Sequence, residues 1–313
     1  MHKPVPYALL VLAVLLLWPL DAHAWGPLTH LDYSLRTLGA FSLLAPPMRG
    51  LLTRCKNDFI YGSLAADLIL GKNMARYIDH CHNWQVGFKV LREAARRGEA
   101  AEAFALGFLS HLAADTVAHN YYVPYKVVES FDQPATKHGY WELRFDIRRE
   151  RETWQVAREI TGRETRRHDA LLEELLVGQK LPRLVSRTAF LSVLTAVQLK
   201  RWRPLVQIAM QRRREHPLTD EQMRECEALV QTAIIDMLNL ADQAPCTHAD
   251  PTGLRNLTAA RHVRQRLAAE LKSNPDLQGD LHATAKASRA SFREAIYGKL
   301  VLPRGLTYHH EPA

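Results

Sequence analysis

The sequence predicts an all-α protein, a single multi-helix bundle domain, and three observations carry that reading. Apolar residues recur at helical spacing through nearly every segment beyond residue 24. Few windows alternate apolar with polar residues as a half-buried strand does. Pro124, Pro134, Pro182 and Pro217 fall between the periodic segments, where a residue without a backbone N–H is tolerated.

Taken in order, residues 1–24 read as a secretion signal. His2 and Lys3 precede an apolar run from Tyr7 to Leu20, and Ala22-His23-Ala24 supplies small residues at the cleavage positions. The run falls short of the roughly 20 apolar residues a spanning helix needs and is interrupted by Pro19. Cleavage after Ala24 makes Trp25 the first residue and sends the protein to the periplasm or outside the cell. Helices are then expected near 28–38, 46–68, 84–97, 99–121, 139–161, 168–177, 184–200, 219–243, 254–272 and 282–298. The PTGLRN stretch near Pro251 reads as a loop between two of them. Helical patterning persists from Thr219 onward, so no C-terminal β-sandwich is expected. No Gly/Ser-rich or Pro-rich linker and no solenoid-period repeat divides the chain. One domain over residues 25–300 is expected, with a short tail at 301–313.

The net charge of +8 suits an anionic substrate or surface. Stretches such as RRERETW and RETRRH carry both signs of charge, however, and read as solvated helix faces rather than a nucleic-acid patch. The four cysteines at 55, 81, 226 and 246 are an even number in a chain read as exported, so disulfides are permitted. Sequence proximity suggests Cys55 with Cys81 and Cys226 with Cys246.

The densest chemical signal is GFLSHLAADTVAHNYY, from Gly107 to Tyr122. His111, Asp115 and His119 stand four residues apart and project from a similar side of a helix over two turns. Their neighbours are apolar, so the helix is expected to be buried. A carboxylate buried between imidazoles is costly unless a cation or hydrogen bonds compensate, and this donor set suits zinc. A single histidine there would read as a core residue bonded to Asp115; three aligned donors favour a metal.

A second pair, His138 and Glu142 in KHGYWELRFD, has the same spacing, and both can bind one ion from the start of a helix. In IDHCHNW, His80 and His82 flank Cys81; one of the two histidines is the expected ligand, with both or the thiolate as alternatives. Asp67, in GSLAADLILGK, is a carboxylate within an apolar segment that otherwise reads as a buried cap. At the expected new terminus, the amine and carbonyl of Trp25 can chelate a metal once the amine gives up its proton, and His30 follows after a tight turn at Gly26-Pro27. Taken alone, that stretch reads as an ordered terminus capped at Thr29.

Together, W-x-x-x-x-H, A-A-D, a histidine after a short loop, H-x-x-x-D-x-x-x-H and H-x-x-x-E resemble the motif order of the zinc-dependent phospholipases C and of the related single-strand-specific zinc nucleases. The matching motifs span residues 25–146. The resemblance implies a helical bundle holding three zinc ions in a cleft. Trp25, His30 and Asp115 would hold one ion. Asp115 would bridge to a second, held with His111 and His80 or His82, and the third would sit on His119, His138 and Glu142. Asp67 matches a carboxylate that orients or deprotonates the attacking water. The spacing of Asp115 and His119 departs from the bacterial phosphatidylcholine-cleaving members and resembles the helical domain of glycosylphosphatidylinositol-specific phospholipase D.

The implied activity is metal-assisted hydrolysis of a phosphodiester, with phospholipid the favoured substrate and peripheral membrane contact accompanying it; a single-strand nuclease acting on nucleic acid or a nucleotidase of the same fold is the alternative. A non-catalytic exported zinc-binding protein is the competing class. No G-x-S-x-G elbow points to a nucleophilic serine. The aromatic residues Tyr121, Tyr122, Tyr125 and Trp141 are candidates either for the cleft mouth or for the core.

Overall fold

The computed structural model describes residues 25–67, 81–134, 138–149, 153, 155, 156, 159, 166–176, 216–303 and 306. Among the described residues every regular element is helical and no strand occurs, so the chain is all-α as expected. The elements are α1 (Pro27–Gly39), α2 (Pro46–Arg54), α3 (Lys56–Ala65), α4 (Trp84–Ala95) and α5 (Glu99–Val117). A π-helical turn (Ala118–Tyr122) leads into α6 (Val123–Glu129), followed by α7 (His138–Asp146) and α8 (Arg166–Leu175). Helices α9 (Asp220–Leu240), α10 (Leu254–Ser273) and α11 (Gln278–Ala295) complete the set. The expected secretion signal, the expected 184–200 helix, His80 and most of 150–161 lie outside the described residues.

Helix α5 is the central rod. Every residue from Ala103 to Val117 is buried, as an apolar sequence with no polar face requires. Helices α3, α4 and α9 pack along it, and α1 and α2 also touch it. The closest approach is to α3, where Gly62 and Gly107 face opposing backbone. A Cβ on Gly62 would collide with the Phe104 carbonyl, and one on Gly107 with that of Phe59. Two bare glycines thus allow the two helices to touch backbone to backbone.

The expected helix over 46–68 is two helices broken at Cys55, whose backbone leaves the helical region (φ −118°, ψ 35°). The break separates α3 from α2. At the far end of α5, Pro124 cannot donate to the Asn120 carbonyl one turn earlier, and the chain passes through the wider π turn immediately before it. Helices α10 and α11 pack against α6 and this turn. Helix α9 starts at a capping box in which the Thr219 hydroxyl accepts from Gln222 N and the Gln222 side chain accepts from Thr219 N.

Neither expected disulfide is formed. Even parity permitted pairing, but the thiols are used in packing. Cys81 Sγ lies 3.7 Å from the Ala66 carbonyl and Cys246 Sγ 3.7 Å from that of Ala233. Burial pushes the Cys246 thiol up to about 12 and raises Cys226 further, so both stay protonated.

Candidate metal centre

Four separate elements bring imidazole and carboxylate groups to one buried point. α1 carries His30, the end of α3 leads into Asp67, the residues before α4 supply His82, and α5 contributes His111 and Asp115. All five side chains are at most 5% exposed. Asp115 lies between the imidazoles: Oδ1 is 3.2 Å from His30 Nε2, while Oδ2 is 3.1 Å from His82 Nε2 and 3.2 Å from His111 Nε2. His82 and His111 place their Nε2 atoms 3.1 Å apart. Asp67 Oδ1 is 3.7 Å from His82 Nε2 and 3.9 Å from His111 Nε2. Donor atoms of His30, Asp67 and His111, and of His82, His111 and Asp115, form two compact groups suited to a metal ion.

The backbone fixes which ring nitrogen faces inward. His111 Nδ1 lies 2.9 Å from the Ser63 carbonyl. Since a carbonyl only accepts, Nδ1 carries a hydrogen and Nε2 is the ring atom turned toward Asp115. His119 is held likewise, with Nδ1 2.7 Å from the Pro251 carbonyl and Nε2 3.7 Å from Glu142 Oε1. His82 Nδ1 is 3.1 Å from Cys81 Sγ.

The electrostatics fit a cation. Burial, reinforced by His111, lowers His30 to about 4 and makes it neutral near pH 7. Burial also opposes the charge on Asp115, but His111, His30 and His82 outweigh it and hold the carboxyl well below its usual range. Both Asp115 oxygens and His30 Nε2 are buried with no hydrogen bond. Such atoms are costly to bury unless a cation satisfies them, so the donor set fits a divalent metal.

The remaining sequence candidates are distributed as follows. His119 lies in the π turn and Glu142 in α7, forming the second pair. His138 opens α7, but its side chain lies outside the described residues, as does all of His80. Trp25 turns its ring inward as expected: Nε1 donates to the Ala114 carbonyl at 3.1 Å, and the ring stacks on Tyr122 at 4.9 Å. Tyr121, Tyr122, Tyr125 and Trp141 are all buried, which places them in the core.

The cap reading at Thr29 is corrected. Gly26 is the N-cap residue of α1, Pro27 occupies the first turn, and the expected tight turn is simply the start of the helix. Thr29 instead donates both its N–H and its hydroxyl to Asp146 Oδ1, each at 2.8 Å. Asp146 packs so closely on Gly26 that any Cβ there would collide with its carboxyl group. Asp146 stands four residues beyond Glu142 but carries no separate signal in the sequence, and the carbonyls of Ser63 and Pro251 carry no side-chain signature.

Fold and site together define a helical protein with a buried imidazole–carboxylate centre fitted to a divalent metal. Residues 29–176, just under half of the chain, match the family model described as zinc dependent phospholipase C, so over that stretch the chain is similar to this zinc-dependent family. The match includes His30, Asp67, His82, His111, Asp115, His119 and Glu142 but neither Trp25 nor Pro251. Comparisons with curated proteins and with solved structures found no match.

Proposed function

We propose that the protein is an exported zinc-dependent hydrolase of phosphodiesters whose substrate is a phospholipid. One observation carries the reading: both oxygens of the buried Asp115 carboxylate lack hydrogen bonds while three imidazole Nε2 atoms lie within 3.2 Å of them. The zinc-dependent family supports it.

In this reading Trp25, His30 and Asp115 would hold one ion, His111 and His82 or His80 would hold a second together with Asp115, and His119, His138 and Glu142 would hold a third. Bound zinc supplies Lewis-acid polarisation of the phosphoryl group and an acidified water. Asp67, set beside the Nε2 atoms of His82 and His111, orients the attacking water and takes its proton on a carboxylate oxygen. The water oxygen bonds to phosphorus as the bond from phosphorus to the lipid alcohol breaks, and that alcohol oxygen takes a proton from solvent while Asp67 returns its own. The hydrogen bonds to the Ser63 and Pro251 carbonyls keep His111 and His119 from turning during the reaction. The net charge of +8 favours approach to an anionic surface. Among the described residues no helix is long and apolar enough to cross a membrane.

The test is zinc content per chain together with hydrolysis of phosphatidylcholine and of single-stranded DNA by the same preparation. Three zincs with lipid turnover are expected. DNA turnover alone would transfer the reading to nucleases, zinc without turnover would make the centre a structural clip, and no zinc after reconstitution would remove the proposal.

A further inference from the structure

The family match ends at residue 176, yet the group that fixes His119 comes from the opposite half of the chain. The turn between α9 and α10 lies against the π-helical segment at several points. The Pro251 carbonyl accepts from His119 Nδ1 at 2.7 Å. Asn120 Nδ2 donates to the Asp250 carbonyl at 2.8 Å, and Asn256 Nδ2 donates to Asn120 Oδ1 at 2.6 Å. One residue earlier, the Ala249 carbonyl accepts from Trp84 Nε1 at 2.9 Å, which ties the turn to α4.

The turn is internally fixed as well. Asp250 accepts from Thr252 N at 3.0 Å and from the Thr252 hydroxyl, while its carbonyl accepts from Gly253 N at 2.9 Å. Gly253 adopts a left-handed conformation with φ +56°, and its Cα packs against the backbone of His119 so closely that any Cβ would collide with the His119 carbonyl. Glycine is therefore required twice here, for its φ and for its lack of a side chain.

We infer that the 249–253 turn is a positioning element for His119: its Pro251 carbonyl accepts from Nδ1 and so holds the imidazole with Nδ1 protonated and Nε2 turned toward Glu142. The zinc consequence rests on the function proposed above, whereas the tautomer does not. The C-terminal half thereby completes a site whose side-chain donors all lie in the N-terminal half. A neutral imidazole without this acceptor distributes its proton between the two nitrogens and is free to rotate, so a ligand is lost as a prepared donor.

The test uses the full chain with labelled histidine, whose ring nitrogens are read by NMR without zinc, the His119 signals being assigned by their loss in His119→Gln. Zinc retention against a graded chelator is measured alongside. Wild-type protein is expected to show an Nδ1-protonated His119. In Gly253→Ala and in Asp250→Ala, which loosens the turn without adding bulk, that signature is expected to become a tautomer mixture. Zinc held by the His119–Glu142 pair is expected to weaken about 10-fold or more, the scale of losing an outer-sphere partner. Zinc at the Asp115 centre should hold, and Leu254→Ala, at an exposed neighbouring position, should behave as wild type. An unchanged His119 signature in both variants would overturn the inference, as would equal zinc loss at both centres, which reports general loosening. If wild-type protein binds no zinc, the function proposed above fails while the tautomer result still decides this inference.

Discussion

His30 stacks on His111 with ring centroids 3.8 Å apart and planes 16° from parallel, and both rings turn Nε2 toward Asp115 at 3.2 Å. Burial, reinforced by the neighbouring His111, disfavours charge on His30, which is lowered to about 4. The carboxylate therefore relies on its surroundings for compensation, and it is shared between His30 on one oxygen and His82 with His111 on the other. On the proposed three-ion arrangement, replacing Asp115 by Ala is expected to cost two zincs, whereas Glu142→Ala should cost one. Metal analysis of the purified variants checks this; equal losses would show that Asp115 does not serve two ions.

Asp67 lies farther from the imidazoles than Asp115 does, at 3.7 and 3.9 Å against 3.1 and 3.2 Å. In the proposed function that carboxylate handles the attacking water rather than the metal. Asp67→Asn should keep its zinc and lose turnover by about 10²- to 10⁴-fold, the typical contribution of a positioned base. Loss of zinc in step with activity would instead make Asp67 a ligand.

Asp146 links α7 to the start of α1 and titrates unusually. Burial raises its carboxyl to about 6, against the lowering effect of the Thr29 hydrogen bonds and of Arg149. Since the folded value is above the ordinary 3.8, the folded state binds this proton more tightly than the unfolded chain. The resulting contribution is full below about pH 3.8 and is lost as pH rises through about 6, with a size on the order of 3 kcal/mol. Urea unfolding of zinc-free protein across this range should show that decline relative to Asp146→Asn. The amide oxygen can still accept both Thr29 bonds but does not titrate. Parallel pH profiles for the two proteins would show that Asp146 is not the group responsible.

The parts of this site that were legible in the sequence are those that helical spacing encodes. His111 and Asp115 share one face of an apolar helix, and four-residue steps place them together in any α-helix. His119 follows the same arithmetic, but the π turn ahead of Pro124 and the Pro251 carbonyl decide where it points, and neither leaves a side-chain pattern. Asp146 repeats the four-residue step from Glu142, yet its target is a backbone N–H and hydroxyl more than a hundred residues away. The disulfide expectation used parity and proximity in sequence, which say nothing about distance in space. The break at Cys55 was likewise hidden, because the apolar pattern continues across it.

Cys226 and Cys246 are expected to be unreactive thiols in the folded protein, since both are buried and held protonated. Iodoacetamide followed by peptide mapping should modify neither one until the protein is denatured. A disulfide-linked peptide containing either residue, or rapid labelling of the native protein, would contradict the packing described.

Gly107 connects the core to the site. On α5 it faces the Phe59 carbonyl and Ser63 N of α3, and Ser63 is the residue whose carbonyl accepts from His111 Nδ1 at 2.9 Å. A methyl group at position 107 cannot be absorbed by rotation of a flexible side chain, because the obstructing atoms are backbone. The two helices must separate instead, which removes close packing over the crossing and draws the Ser63 carbonyl away from the imidazole. Gly107→Ala should therefore destabilise the zinc-free fold by at least the usual 1–3 kcal/mol of overpacking, roughly, and also weaken zinc binding. Gly39→Ala, at a position where a Cβ meets nothing, provides the control and should leave both unchanged. If Gly107→Ala lowers the melting temperature yet retains wild-type zinc affinity, the Ser63 carbonyl has no part in preparing His111, and the crossing serves the core alone.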